Sequence, residues 1–173
     1  MSATTPLSGC VVRLGDDVNT DLVLAGEYLN LTDPDELATH LLERFEPPVA
    51  DRIGPGTILL AGRAFGGGSS REQAVLAVVA RGVTALVAAS FARIFFRNAV
   101  NLGLPAVECP GAWRDVKDGD EITIDLDSGM LARPQDGATW SFPALPPFVA
   151  DLLAVGGLEQ WTRKRLQAIG PAD

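Results

Sequence analysis

The chain has 173 residues, of which 47% are hydrophobic and 21% are charged. This length and composition predict one folded domain over residues 1–173 and exclude disorder as the overall state. Fourteen lysines and arginines against 22 aspartates and glutamates give a net charge of -8, which disfavours nucleic acid and anionic membrane as partners. The sequence shows no secretory signal and no apolar run long enough to span a bilayer, so we expect a cytoplasmic protein.

Strands and a helix alternate in the first part of the chain. The sequence predicts a strand at 10–15, followed by a polar turn at 16–21. A helix is predicted to begin after its N-cap, Asp33, and to end near Phe45, before two prolines. The buried strand predicted at 56–62 then leads into a glycine-rich loop.

The middle of the chain continues this alternation. An almost wholly apolar helix at 71–82 precedes a strand at 83–89, a helix capped by Ser90 and ended by Gly103, and a strand at 104–109. Strands that alternate with helices in this way are parallel and have right-handed crossovers. The sequence therefore predicts an α/β fold with a partly parallel sheet.

The pattern changes after Pro110. Short alternating segments separated by Asp-Gly and Ser-Gly turns predict additional short strands. A last helix is predicted from about 148 to 166, with an interruption at Gly156 and Gly157.

Scarce residue types exclude several kinds of chemistry. Cys10 and Cys109 are too few to ligate an iron–sulfur cluster or a structural zinc by themselves. The single histidine, His40, falls on the polar side of its predicted helix with Glu43, so we expect a solvated side chain and no histidine base. A Ser-His-Asp hydrolase is disfavoured because the histidine precedes the candidate serines and Arg71 interrupts the G-x-S-x-G pattern.

The loop FGGGSSRE, residues 65–72, carries the strongest functional signal. Consecutive glycines let the backbone approach a ligand closely, and the free N–H groups of the following helix favour an anion. We therefore predict that Ser69, Ser70 and Arg71 bind a carboxylate. The alternative is that Ser69 or Ser70 is only an N-cap, with Glu72 closing a capping box from Ser69.

Two further features have a structural and a functional interpretation. The turn GDDVNTD, residues 15–21, offers several oxygen ligands, although acidic turns after strands also serve as caps. Arg93 and Arg97 lie one helical turn apart, where like charges repel unless they are neutralised. For this pair we expect a structural salt bridge rather than a ligand.

Four segments, in chain order, resemble one family over about the whole chain. They are GDDVNTDLVLAGEYL, AGRAFGGGSSREQA, GVTALVAASFARIFFRNAVNLGLP and GLEQW. They resemble the small subunits of 3-isopropylmalate dehydratase and of homoaconitase-like enzymes, which correspond to the swivelling C-terminal domain of aconitase. The resemblance implies a single β/β/α swivelling domain, an α/β fold whose partly parallel sheet is flanked by helices and additional short strands.

The resemblance also implies half of a heteromeric hydro-lyase. In this family a separate large subunit holds a 4Fe-4S cluster, whose iron acts on the departing hydroxyl, so we expect no metal site in this chain. By the same resemblance, Ser69 takes a proton from the carbon next to a carboxylate, while Ser70 and Arg71 hold a carboxylate of the substrate. Thr20 and Asp21 match a family motif in which the aspartate is catalytic and the threonine lies at the substrate.

Departures from the family pattern concern the substrate more than the reaction. Gly67 and Gln73 replace a cysteine and a histidine, and Glu27 replaces a basic residue and could repel an anionic substrate. Asn30 and Leu31 stand where homoaconitase-like members place an arginine, so the resemblance implies a substrate with an uncharged or alkyl end, such as isopropylmalate. Two alternatives remain, a subunit for another substituted malate or maleate and a non-catalytic stabilising partner.

Overall fold

In the computed structural model, which describes residues 5–69 and 71–169, seven strands form one sheet. In chain order they are β1 (Leu7–Arg13), β2 (Thr57–Ala61), β3 (Ala85–Ala88), β4 (Ala106–Glu108), β5 (Glu121–Asp125), β6 (Met130–Arg133) and β7 (Ala138–Ser141). Their order across the sheet is β4-β3-β2-β1-β5-β6-β7. Strands β1 to β4 pair in parallel, and β5, β6 and β7 continue the sheet in antiparallel pairs. The predicted α/β fold with a partly parallel sheet is confirmed.

Helices cover the sheet and connect its parallel strands. They are α1 (Thr20–Val23), α2 (Pro34–Thr39), α3 (Glu72–Ala80), α4 (Arg93–Asn101), α5 (Pro110–Asp115), α6 (Pro147–Val155) and α7 (Leu158–Ile169), with short 3₁₀ turns at Gly26–Tyr28 and Ala50–Arg52. Within the residues that the structure describes, no helix is both long and apolar enough to cross a membrane.

The central strands are apolar throughout because both of their faces are covered. All five residues of β2 and all four of β3 are buried, as parallel strands between two layers require. One face packs against α2, α3 and α4 through residues such as Leu37, Val75 and Phe95. The opposite face forms a second cluster that includes Ile58, Ile122 and the residues around α5.

Two local predictions differ from the structure, and one helix was not predicted. The helix after Asp33 ends at Thr39, because Leu42 takes a left-handed φ of 52° and donates its N–H to Val23 O at 2.9 Å. Ser90 does not cap α4, since its Oγ accepts a hydrogen bond from Ala64 N at 3.0 Å instead. Helix α5 was not predicted, although Pro110 at its first turn is typical of a helix start.

The last helix follows the prediction. It is divided into α6 and α7, and Gly156 and Gly157 between them have φ values of 87° and 106°. Glycine is the residue that adopts such left-handed angles without strain, so the break lies at the position the sequence indicates.

His40 is less solvated than we expected. Its ring stacks on Tyr28 with 3.6 Å between the centroids, and its Nδ1 lies 2.9 Å from Glu43 Oε2. The side chain is 27% exposed. It anchors the segment after α1 to the end of α2, which is a structural role.

Candidate functional site

Two loops meet at the carboxyl-terminal edge of the parallel strands, because β1 and β2 are neighbours that end at the same side of the sheet. Asn19 and Gly67 form an isolated parallel bridge between the loops. Thr20 N donates to Gly67 O at 2.8 Å, and Gly66 N donates to Val18 O at 2.8 Å. These bonds join the acidic turn to the glycine-rich loop and fix both segments.

The glycines of the second loop have different structural roles. Gly66 and Gly68 have φ values of 77° and 92°, which L side chains rarely adopt. A Cβ on Gly66 would lie 2.2 Å from Phe95 Cγ, whereas a Cβ on Gly67 would meet nothing closer than Ala64 O at 3.4 Å. A side chain at position 66 would therefore clash with Phe95, while position 67 has room for a small side chain such as the cysteine of the family pattern.

We expect the substitution Gly66→Ala to destabilise the protein by about 2–4 kcal/mol, because the new methyl group overlaps Phe95 and the backbone angle becomes strained. Gly67→Ala is the matched control and should change the melting temperature little. Thermal unfolding of both variants followed by circular dichroism measures the difference. Equal melting temperatures would contradict this account of the loop.

Ser69 is an exposed residue of the glycine-rich loop. Its carbonyl accepts a hydrogen bond from Thr20 Oγ1 at 3.0 Å, and its hydroxyl bonds to no other described residue. Helix α3 begins at Glu72 with Arg71 as its N-cap and without a side-chain capping bond. The capping-box interpretation of Ser69 is therefore wrong. Ser70 lies outside the described residues.

Arg71 joins the two loops through its guanidinium. Its Nη1 lies 2.5 Å from Asp21 Oδ1 and donates to Leu24 O at 3.3 Å. The Arg71 side chain is 13% exposed, whereas that of Asp21 is 61% exposed. The Nε of Arg71 is buried and bonds to no described residue. Nε is thus an unpaired buried donor on the guanidinium edge that it shares with Nη2.

Only part of the acidic turn points to this site. Asp16 Oδ1 accepts from Arg63 N at 2.7 Å, and Asn19 Oδ1 caps α1 by accepting from Leu22 N at 2.9 Å. These side chains have the capping roles that the sequence left open. Asp21 is the residue of the turn that reaches Arg71. Thr20 is 1% exposed, and its hydroxyl lies under the loop at Ser69 O.

A cleft of about 470 Å³ lies beside the two loops. Thr20, Ser69 and Arg71 line it from the loops, and Arg93, Ile94 and Arg97 line it from α4. Both arginines of α4 are exposed. The prediction that these arginines form a structural salt bridge is wrong, because neither pairs with an acid among the residues described.

Asn30 and Leu31 lie outside the lining of this cleft. Asn30 is exposed, and Leu31 packs partly against the core beneath α2 and α3. Their segment is tied to the site by Gln73, whose Nε2 donates to Leu29 O at 3.3 Å. The sequence identified Gln73 as a departure from the family pattern. It did not predict this hydrogen bond, because no local sequence pattern indicates it.

The neighbouring segment is held by a network of charged and aromatic groups. Hydrogen bonding to Glu43, burial and the nearby Glu27 raise the pKa of Tyr28 to about 12. Glu27 Oε1 pairs with Arg44 Nη2 at 2.8 Å. The carboxylate that could repel an anionic substrate is therefore balanced by an arginine of its own.

The cysteines offer no metal site. Cys10 is exposed on β1, while Cys109 is buried beside α5, where burial raises the pKa of its thiol. A raised pKa disfavours the thiolate that metals bind. Across the described ranges, no three histidine, cysteine or acidic side chains form a group that could hold a metal ion. The two cysteines and the other described side chains therefore do not fit an iron–sulfur cluster.

Comparison with known proteins places these loops in a family. Residues 51–111 match the aconitase C-terminal domain. The 3-isopropylmalate dehydratase small subunit of Thermodesulfovibrio yellowstonii is 44% identical over 92% of this chain and 95% of that protein. The corresponding subunit of Moorella thermoacetica is 46% identical over 93% and 97%. The 2,3-dimethylmalate dehydratase small subunit of Eubacterium barkeri is 43% identical over 87% and 92%.

A solved structure agrees with these relatives. The crystal structure of 3-isopropylmalate dehydratase from Methanocaldococcus jannaschii aligns with a TM-score of 0.88 at 38% identity. The alignment covers 95% of this chain and 97% of that one. Fold and sequence therefore point to one family over nearly the full length.

Proposed function

Because the chain belongs to the family of 3-isopropylmalate dehydratase small subunits, we propose that it supplies half of the active site of a cytoplasmic hydro-lyase. The proposed reaction converts 2-isopropylmalate and 3-isopropylmalate into one another by dehydration and rehydration, a step of leucine biosynthesis. The observation that supports it best is that Ser69 and Arg71 line one cleft and that Asp21 pairs with Arg71.

Ser69 is the proposed base. Its hydroxyl is exposed at the cleft and precedes the N-terminus of α3, whose free N–H groups favour a negative oxygen. The Ser69 alkoxide takes the proton from the carbon next to a carboxylate, and the electrons of that C–H bond form the carbon–carbon double bond. The hydroxyl group leaves the neighbouring carbon with the C–O bonding electrons and takes up a proton to become water. In rehydration Ser69 returns a proton to carbon.

Arg71 and Asp21 hold the reacting end of the substrate. A carboxylate bound to the Nε–Nη2 edge of Arg71 would satisfy the buried Nε, and a bidentate pair fixes the plane of that carboxylate. Ser70 is proposed to donate to the same carboxylate. Asp21 orients Arg71 through Nη1 and, being largely exposed, can take part in the proton transfer that accompanies loss of the hydroxyl.

The proposed partner is the large subunit, which would carry the 4Fe-4S cluster. The relatives named above are described as small subunits, which implies a second chain. That the cluster lies in the partner is part of the proposal, and the absence of a ligand group for a metal ion among the described side chains is consistent with it. In this proposal Ser69, Arg71 and Asp21 bind the substrate and transfer protons, and none of the three ligates a metal ion.

A second substrate is supported by one observation. The dimethylmalate dehydratase subunit is 43% identical to this chain, close to the 44% and 46% of the isopropylmalate relatives. Both substrates are malates that carry alkyl groups, which suits the neutral pair Asn30 and Leu31. A non-catalytic role is less well supported, because Glu27 is paired with Arg44 and Gln73 bonds to Leu29 without disturbing the loops.

Reconstitution tests the proposed function. We expect the purified chain to show no iron–sulfur absorption and no turnover of isopropylmalate. Mixing it with a cluster-loaded large subunit from a 3-isopropylmalate dehydratase should produce turnover that saturates at a fixed ratio of the two chains. Loss of 2-isopropylmalate, followed by chromatography, measures the rate. Robust turnover by the isolated chain, or none by the mixture, would contradict the proposal.

Replacing Asn30 tests the specificity segment. Asn30→Arg should shift preference toward a substrate with a third carboxylate by roughly 1–3 kcal/mol, because the charge pair that forms is partly exposed. The ratio of kcat/KM for isopropylmalate and homoaconitate measures the shift. Gln167→Arg, at an exposed position of α7, is a control of equal charge. An unchanged ratio would show that residue 30 does not face the substrate.

A further inference from the structure

The net positive charge of the cleft comes from α4. Arg71 is neutralised by Asp21, since Nη1 and Oδ1 are 2.5 Å apart. Arg93 and Arg97 also line the cleft, and no aspartate or glutamate does so in the part of the chain that is described. In a protein with a net charge of -8, this local excess of cations is a specific feature rather than a general property of the surface.

The two arginines lack the partner that their spacing requires. They lie one turn apart on the same side of α4, where like charges repel. Within the described ranges neither forms an ion pair, and both side chains are exposed. An anion between them would relieve the repulsion and would gain hydrogen bonds from both guanidinium groups.

We propose that Arg93 and Arg97 form the second carboxylate subsite of the cleft. This inference rests on the proposed function, because a substituted malate has two carboxylates and Arg71 binds one of them. Ile94, which is 54% exposed, lines the same cleft and offers apolar surface to the alkyl group. The subsite thus selects dicarboxylates, whereas Arg71 and Ser69 act on the reacting end.

The test uses the complex with the large subunit at a saturating concentration. In the double variant Arg93→Gln and Arg97→Gln, KM for isopropylmalate should rise about 10- to 100-fold, while kcat changes less than about 3-fold. Arg163→Gln on α7 is the matched control, since Arg163 is an exposed arginine that pairs with Glu159 away from the cleft. Its KM should stay at the wild-type value.

Competitive inhibition supplies a second readout. Succinate has two carboxylates and butyrate has one, so the wild-type complex should bind succinate more tightly by about 10-fold or more. The double variant should lose most of this preference. A merely structural role of Arg93 and Arg97 would weaken both inhibitors equally.

The possible outcomes separate this inference from the function on which it rests. An unchanged KM and succinate preference in an active double variant would overturn the subsite alone. A weaker affinity between the subunits with normal KM at saturation would assign the two arginines to the large subunit and would also overturn it. A wild-type complex without turnover would contradict both the proposed function and the subsite.

Discussion

Replacing Ser69 by alanine in the assembled enzyme is expected to lower kcat by about 10³-fold, because the proposed base is lost. Folding should be unaffected. Helix α3 is capped at Arg71 without a side-chain bond, and only the main-chain carbonyl of Ser69 is engaged, by Thr20. The melting temperature and the affinity for the large subunit should therefore stay at wild-type values.

Ser69→Gly distinguishes the base from a structural residue more sharply. Glycine has no side-chain oxygen but keeps the main-chain carbonyl that accepts from Thr20, so a purely structural role of residue 69 would leave turnover intact. Single-turnover exchange of the substrate proton with solvent, measured for both variants, reports on the base directly. Near wild-type exchange in Ser69→Gly would overturn the catalytic assignment and would leave the glycine-rich loop as a binding element.

Much of the fold could be predicted because its central strands carry strong local signals. The apolar run of β2 is bounded by Gly56 and Gly62, and both β2 and β3 are apolar throughout, as strands in the middle of a parallel sheet are. The end of α2 could not be predicted in this way. It depends on the bond between Leu42 N and Val23 O, which joins segments far apart in the sequence.

The site was predictable in its residue types but not in its pairings. A loop with three glycines, serines and an arginine before a helix favours anion binding, and that signal is local in the sequence. The pairing of Arg71 with Asp21 requires β1 and β2 to be parallel neighbours, which is a tertiary property. The placement of Arg93 and Arg97 without acidic partners depends likewise on where the excess acids of the chain lie.

Structural residues and a proposed catalytic residue are interleaved within the acidic turn for a physical reason. Asp16 and Asn19 satisfy backbone N–H groups of Arg63 and Leu22, and these bonds stiffen the turn. A stiff turn can hold Asp21 against Arg71 before any substrate binds, which lowers the entropy lost in forming the site. The acidic turn therefore needs Asp16 and Asn19 as well as Asp21, although only Asp21 meets the arginine.

Replacing Arg71 by lysine should reduce kcat/KM by about 100-fold or more, although the positive charge is retained. The ammonium of lysine is a point charge, so it cannot contact Asp21, Leu24 O and a substrate carboxylate in one plane as the guanidinium can. Loss of the tie to Leu24 O should also lower the free energy of unfolding by about 1 kcal/mol.

The variant Asp21→Asn separates the role of Asp21 in orienting Arg71 from a role in proton transfer. The amide retains the shape of Asp21 and can still accept a hydrogen bond from Arg71 Nη1, but it has no charge and cannot accept a proton at neutral pH. If Asp21 only orients Arg71, the double variant with Arg71→Lys should be little slower than Arg71→Lys alone. If Asp21 also takes part in proton transfer, the two losses should multiply. Steady-state kcat and KM of the two single variants and the double variant decide between these outcomes. A wild-type kcat/KM in Arg71→Lys would show that Arg71 does not bind the substrate.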